Sequence, residues 1–244
     1  MEYVNRNGHA SLSVTGVKSR KRKASKVFSR IIASSGVTLT AKNLHILEIG
    51  CGTGHLSALF ATNFPNAKVF ATDIENRLLI DAPRNLGFDI VPPAGEFPFK
   101  DSVFDLIILN QVFEHVIPKD RDPLFEEICR LLKKEGHIWL AFPNKFALIE
   151  PHYYIPLLSM LPKKIADSLV GISQMGKEYD CFPLSPAESV KFFSKFFNSV
   201  ENQTIGNVKF LCGFAKKISS SKKTGELLSN FSPVLVFILK KSHE

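Results

Sequence analysis

The 244-residue chain predicts an α/β domain built on a doubly wound, mostly parallel, seven-stranded sheet. Three observations carry this expectation. Short apolar runs alternate with helical patterns at the spacing of βαβ units. A glycine-rich bend, Gly50-Cys51-Gly52-Thr53-Gly54, follows the first of these runs. An acid, Asp73, closes the second.

Residues 1 to about 20 read as a flexible basic tail, and residues 21–244 as a single domain. A helix is expected over Lys23–Ser35. The run LHILEI (Leu44–Ile49) is short, mostly apolar and followed by glycine, as a buried parallel strand should be. Residues 54–64 are helical by pattern, and AKVFATD (Ala67–Asp73) is a second strand. A helix is expected over residues 75–86, with Gly87 at its C-cap. FDIV (Phe88–Val91) and SVFDLIILN (Ser102–Asn110) supply the third and fourth strands. Asp122-Pro123 places an acid at an N-cap and proline at the first helical position, so a helix is expected from there to about Lys134. GHIWLAF (Gly136–Phe142) is the fifth strand. The rhythm then breaks. Residues 144–183 are rich in Pro, Tyr and Leu and read as a helical insertion over the sheet edge. Beyond them, Ser185, Pro186 and Glu188 form the N-cap, first and third positions of a capping box. NSVENQT and SPVLVFILKK supply the last strands.

Hydrophobic residues make up 45% of the chain and charged residues 22%, which is enough apolar material for a sizeable core. The net charge of +8 is concentrated in runs such as KSRKRKASK (Lys18–Lys26) and KKISSSKK (Lys216–Lys223). Such runs suit a solvated tail and loop, or contact with nucleic acid or an anionic membrane. No nucleic-acid reading module accompanies them. None of the four cysteines forms a CxxC pair, so neither a zinc knuckle nor a redox dithiol is signalled. That usage fits a reducing cytoplasm, the expected location. The first ten residues are polar, unlike a signal peptide, and PVLVFIL is too short to span a bilayer.

The bend itself resembles the dinucleotide fingerprint G-x-G-x-x-G, but His55 stands where the third glycine belongs. The fuller pattern is Glu48-x-Gly50-x-Gly52-x-Gly54, with Asp73 at the end of the next strand. It resembles the first motifs of class I S-adenosylmethionine-dependent methyltransferases. AGEFPFKDSVFDLIILNQVFEHV (Ala94–Val116) and EEICRLLKKEGHIWLAFPN resemble the family segments that follow. The resemblance covers about residues 42–145 and is strongest to the group that methylates small molecules, lipids and sugars.

That resemblance implies a Rossmann-like methyltransferase fold, S-adenosylmethionine as cofactor, and a role for each matched residue. Glu48 would orient the loop near the cofactor's ammonium. Gly50, Cys51, Gly52 and Gly54 would pass their backbone beside the methionine and ribose. Asp73 would hold the ribose hydroxyls, with Ile74 on the adenine. Ala94 and Gly95 would meet the adenine edge, although Pro93 replaces the acid that family members often carry there. Asn110 and Gln111 would lie beside the sulfonium.

Methyl transfer to a hydroxyl needs in-line alignment and removal of a proton. His115 and His152 are the candidate bases by residue type and position, with Glu114 and Glu150 as weaker ones. QVFEH (Gln111–His115) also resembles the E-x-x-E-H metal motif of some O-methyltransferases. Neutral Gln111 replaces its first acid, so no metal is expected. Tyr153 and Tyr154, in the insertion, are expected to face the acceptor as part of an apolar lid. The expected acceptor is a hydroxyl of a small molecule, a lipid-linked group or a sugar. The alternatives are an RNA methyltransferase and a catalytically silent cofactor-binding scaffold.

Overall fold

A computed structural model describes residues 14–34, 43–92, 95–204 and 230–241. Its seven strands are β1 (His45–Ile49), β2 (Lys68–Asp73), β3 (Leu86–Ile90), β4 (Phe104–Asn110), β5 (Leu132–Pro143), β6 (Ser199–Asn202) and β7 (Val234–Lys240). They form one sheet in the order β3-β2-β1-β4-β5-β7-β6. The first five are parallel, and β7 runs antiparallel to both β5 and β6. This is the doubly wound, mostly parallel sheet expected from the sequence.

The central strands are nearly all apolar because both faces are covered. Leu47, Ile107, Leu109, Ile138 and Leu140 point to one face. There they meet Phe125 and Ile128 of α3 (Pro118–Leu131) and Phe193 of α5 (Pro186–Phe193). Ile46, Leu106, Ile108 and Trp139 point to the other face. They meet Ile31 of α1 (Val14–Ser34) and Phe60 of α2 (His55–Asn63). Register then fixes the site. Ile49 pairs with Thr72 on one side and Leu109 on the other, and Asn110 pairs with Ala141. The carboxyl ends of β2, β1 and β4 therefore meet along one edge, where ligands of such sheets bind.

Several elements differ from expectation. Helix α1 begins at Val14 and so takes in residues 14–20 of the expected tail. The helix expected over residues 75–86 does not form. Pro83 cannot supply an interior helical N–H. The segment's apolar residues are used elsewhere: a Cβ on Gly54 would stand 2.7 Å from Leu78 and 2.9 Å from Ile80, and Leu79 N–H donates to Thr53 O. The crossover thus lies against the glycine bend, and Gly87 falls inside β3. Helix α3 starts at Pro118 rather than Pro123, because extended Ile117 already presents a proline at the first helical position. It ends at Leu131, short of Lys134, and β5 begins at once with Leu132.

The capping box is present. Ser185 Oγ accepts from Glu188 N–H, and the Glu188 carboxylate accepts from Ser185 N–H. Ser185→Ala is expected to cost about 1 kcal/mol of stability, read by chemical denaturation. An unchanged midpoint would show the cap to be energetically silent.

The insertion holds a 3₁₀ turn (Leu158–Met160) and α4 (Lys163–Ile172). Its small core is formed by Tyr153, Leu158, Ala166, Val170, Tyr179 and Cys181. Among the described residues, no helix is long and apolar enough to cross a membrane.

Candidate functional site

The glycine bend is tied to β2. Gly50 N–H and Cys51 N–H both donate to Thr72 O, at 2.8 and 3.0 Å. Gly50, Gly52 and Gly54 have φ of 71°, 54° and 76°, a region L-residues with side chains rarely adopt. Gly50 could not carry a Cβ, which would lie 2.4 Å from Val112 Cγ2. At Gly52 a Cβ would meet nothing within 4 Å, so the backbone there faces open space. Gly54 is the left-handed N-cap of α2, and the helix N-terminus points its free amides at the bend.

Asp73 closes this bend from β2. Its Oδ2 accepts from Gly52 N–H at 2.6 Å, and its Oδ1 accepts from Ile74 N–H at 2.8 Å and Arg77 Nη2 at 3.0 Å. Ile74 is partly exposed beside it. Gly95 sits in the turn after β3, which is anchored by Val91 N–H on Asp73 O. Ala94 lies outside the described residues. Asn110 ends β4, and Gln111 follows with φ of 60° and its N–H on Ala141 O.

Glu48 is buried beneath the bend and accepts a hydrogen bond from Ser57 Oγ. Burial raises its pKa to about 8, a rise the Ser57 hydrogen bonds oppose and the nearby Asp73 carboxylate reinforces. The Cys51 thiol is also pushed up, first by burial and then by Glu48 and Asp73, which leaves it a poor nucleophile. Ser57, Arg77 and Val112 each complete this site. No motif marks them, because each acts through a neighbour rather than through a ligand.

A second group of side chains stands one turn beyond Val112. The 3₁₀ turn Phe113–His115 carries Glu114 and His115, and the insertion brings His152 to them. His152 Nε2 lies 3.4 Å from Glu114 Oε1, and His115 Nε2 lies 3.9 Å from the same oxygen. His152 Nδ1 is 3.0 Å from Glu150 Oε1, while Glu150 Oε2 accepts from the N–H groups of His152 and Tyr153. Cys181 Sγ is within 4.0 Å of both imidazoles, and Asp180 Oδ2 is 3.8 Å from His115 Nδ1. Burial lowers the His152 pKa, but contacts with Cys181, Glu114 and Glu150 outweigh it and raise the imidazole well above its ordinary range. The two predicted histidines are thus brought together.

The two predicted tyrosines are not. Tyr153 is buried in the insertion's own core, where its hydroxyl donates to Asp180 Oδ1 at 2.9 Å. Its ring packs on Tyr179, 5.6 Å between centroids. Tyr154 is 71% exposed with φ of 55°.

Residues 47–140 match the methyltransferase domain family. The chain carries a class I S-adenosylmethionine-dependent methyltransferase domain. The methyltransferase domain is 29% identical over 122 residues to a malonyl-[acyl-carrier protein] O-methyltransferase of Geobacter sulfurreducens, covering 48% of this chain and 43% of that protein. It is 32% identical over 93 residues to the cyclopropane-fatty-acyl-phospholipid synthase of Escherichia coli, covering 38% and 24%. The aligned region spans less than half the length of each. Its fold is similar to that of Haemonchus contortus phosphoethanolamine N-methyltransferase 2, solved with phosphomonomethylethanolamine and S-adenosylhomocysteine. That likeness has a TM-score of 0.58 at 17% identity and covers 89% of this chain and 53% of that one.

Proposed function

We propose that this methyltransferase domain binds S-adenosylmethionine at the glycine bend and methylates an oxygen of an apolar, lipid-linked or otherwise small acceptor. The residues fit the cofactor on three counts. Backbone at Gly52 is open to close approach. Asp73 has three donors already, yet a carboxylate has about four acceptor sites, and Arg77 at its rim is one-third exposed. Glu48 is a buried acid whose pKa is raised chiefly by that burial, with the Asp73 carboxylate adding to the rise. An ammonium group would supply a cation beside it.

When bound, S-adenosylmethionine supplies an electrophilic methyl group on a sulfonium. The chain's own residues must align the acceptor with that methyl, and alignment of this kind is worth ~7–11 kcal/mol. The acceptor hydroxyl would lose its proton to His115, which stands beside Glu114 and His152. This cluster is joined to the bend through Val112, which touches Gly50.

The observation that favours an apolar acceptor is the surface of the insertion. Leu148, Ile149, Tyr154, Leu157 and Ile165 are all exposed, and Ile172 is 79% exposed. Six large apolar side chains exposed within one 25-residue stretch (Leu148–Ile172) support the reading of an apolar binding surface there. The test is transfer of a labelled methyl group into cell extract fractions. Label in the lipid or small-molecule fraction is expected. Label in RNA, or none at all, would overturn the proposal.

Glu48 makes the binding pH-dependent. Its folded pKa of about 8 lies above the ordinary 4.5, so its contribution to folding is full below 4.5 and is lost as pH rises through 8. An ammonium beside it favours the carboxylate, so binding releases a proton. Cofactor affinity is expected to rise between pH 6 and 8, and Glu48→Gln should flatten that rise, measured by calorimetry. An identical pH profile in both proteins would contradict the assignment.

A further inference from the structure

Glu114 poses a problem that methyl transfer alone does not solve. It is 0% exposed, and neither of its carboxylate oxygens has a hydrogen-bond partner. Its nearest described side-chain partners are the imidazoles, His152 Nε2 at 3.4 Å and His115 Nε2 at 3.9 Å from Oε1, and a buried carboxylate is held only where positive charge meets it. Arg121 is the nearby guanidinium, and its Nε and Nη2 donate to Val116 O and Phe182 O. Two more carboxylates, Glu150 and Asp180, stand against the imidazoles of His152 and His115. Three acids thus surround the two imidazoles.

The geometry points to a divalent first-row transition cation, of the zinc type, held by Glu114 Oε1, His115 Nε2 and His152 Nε2. These atoms belong to a group lying within 4.8 Å of one another. Ligands ~2.0–2.2 Å from a zinc ion stand roughly 3–3.5 Å apart. The separations of 3.4 and 3.9 Å to Glu114 Oε1 need only a small contraction.

The outer groups fit as well. Ligating histidines turn their other nitrogen to a carboxylate, which fixes the ring. His152 Nδ1 does this with Glu150 Oε1 at 3.0 Å. His115 Nδ1 faces Asp180 Oδ2 at 3.8 Å. Both Nε2 atoms are thereby directed at Glu114. The donor set does not need Gln111, whose neutral side chain argued against a metal in the sequence. Two imidazoles and one carboxylate leave coordination positions open.

The role of the ion rests on the methyl-transfer proposal, although its binding does not. An open position next to the bend would take the acceptor oxygen. There the cation would lower the pKa of the hydroxyl, and the two imidazoles would serve as ligands rather than as bases.

The test uses the full chain, stripped with a chelator, freed of it, and titrated with Co²⁺ before displacement by Zn²⁺. One ion per chain is expected, with the visible absorption of a low-coordinate Co²⁺ site. Glu114→Gln should weaken binding by more than about 100-fold, and Glu150→Gln, which acts through His152, by ~10–100-fold. Circular dichroism checks that each variant folds. Should Glu114→Gln not fold, His115→Ala on the partly exposed imidazole takes its place. Absence of saturable Co²⁺ uptake by the wild-type chain overturns the site, as does wild-type affinity in Glu114→Gln or His115→Ala. Calorimetry with S-adenosylmethionine on the metal-free chain separates the two proposals. Cofactor binding without metal uptake removes only the cation. Metal uptake without cofactor binding removes only the methyl-transfer proposal.

Discussion

Asp73→Ala is expected to weaken S-adenosylmethionine binding by about 100-fold, close to ~3 kcal/mol. The carboxylate ends β2 and is nearly buried, so water does not substitute fully for a lost partner. Charge-assisted hydrogen bonds of the kind it would make to ribose hydroxyls are worth roughly 1.5–3 kcal/mol each. Part of the loss is indirect. Gly52 N–H donates to Asp73 Oδ2 at 2.6 Å, so the substitution also releases the tip of the bend. Asp73→Asn separates the two contributions. The amide oxygen can keep the Gly52 bond, but its nitrogen cannot accept a hydroxyl proton. Intermediate affinity in Asp73→Asn, by calorimetry, is the expected outcome. Full affinity in Asp73→Ala would remove the ribose assignment.

Phe113→Ala is expected to cost ~3–5 kcal/mol of folding stability. Phe113 is fully buried at the base of the turn that carries Glu114 and His115. Its ring lies 5.0 Å from that of Phe142, 5.4 Å from Phe193 and 5.7 Å from Phe125, which ties β5, α5 and α3 together. The Arg121 guanidinium stands over its face at 4.5 Å. Truncation leaves a cavity and strips that buried cation of its aromatic partner. For a chain of this size, the melting temperature should fall by about 10 °C or more in a thermal scan. A drop of only ~1 °C would mean that the aromatic cluster repacks without loss.

The parts of the fold that were legible in the sequence are those where one force dominates. Strands β1, β2, β4 and β5 are apolar runs because both faces are covered, and no competing structure suits them. Ser185 and Glu188 form a local hydrogen-bonded pair, so their cap needs no tertiary information. The crossover over residues 75–86 failed because its helical pattern competes with a tertiary use of the same residues. Leu78 and Ile80 pack on Gly54, and nothing local announces that. Two prolines, Pro118 and Pro123, both suit the first helical position, and only packing selects between them.

The candidate site divides in the same way. Glu48, the glycines and Asp73 are close in sequence and follow a backbone geometry that few residue types allow. The second cluster is assembled from three segments. Glu114 and His115 leave β4, Glu150 and His152 open the insertion, and Asp180 and Cys181 close it. A lone cysteine and a scattered pair of acids carry no spacing signal, so their meeting is visible only in the fold. Tyr153 illustrates the converse. Its neighbour Tyr154 differs by one position and points the other way, which sequence composition cannot separate.

Calorimetric titration of the full chain with S-adenosylmethionine tests the central claim most directly. The account predicts one saturable site per chain, competed by S-adenosylhomocysteine and lost in Asp73→Ala. A folded wild-type chain that takes up neither compound would contradict it.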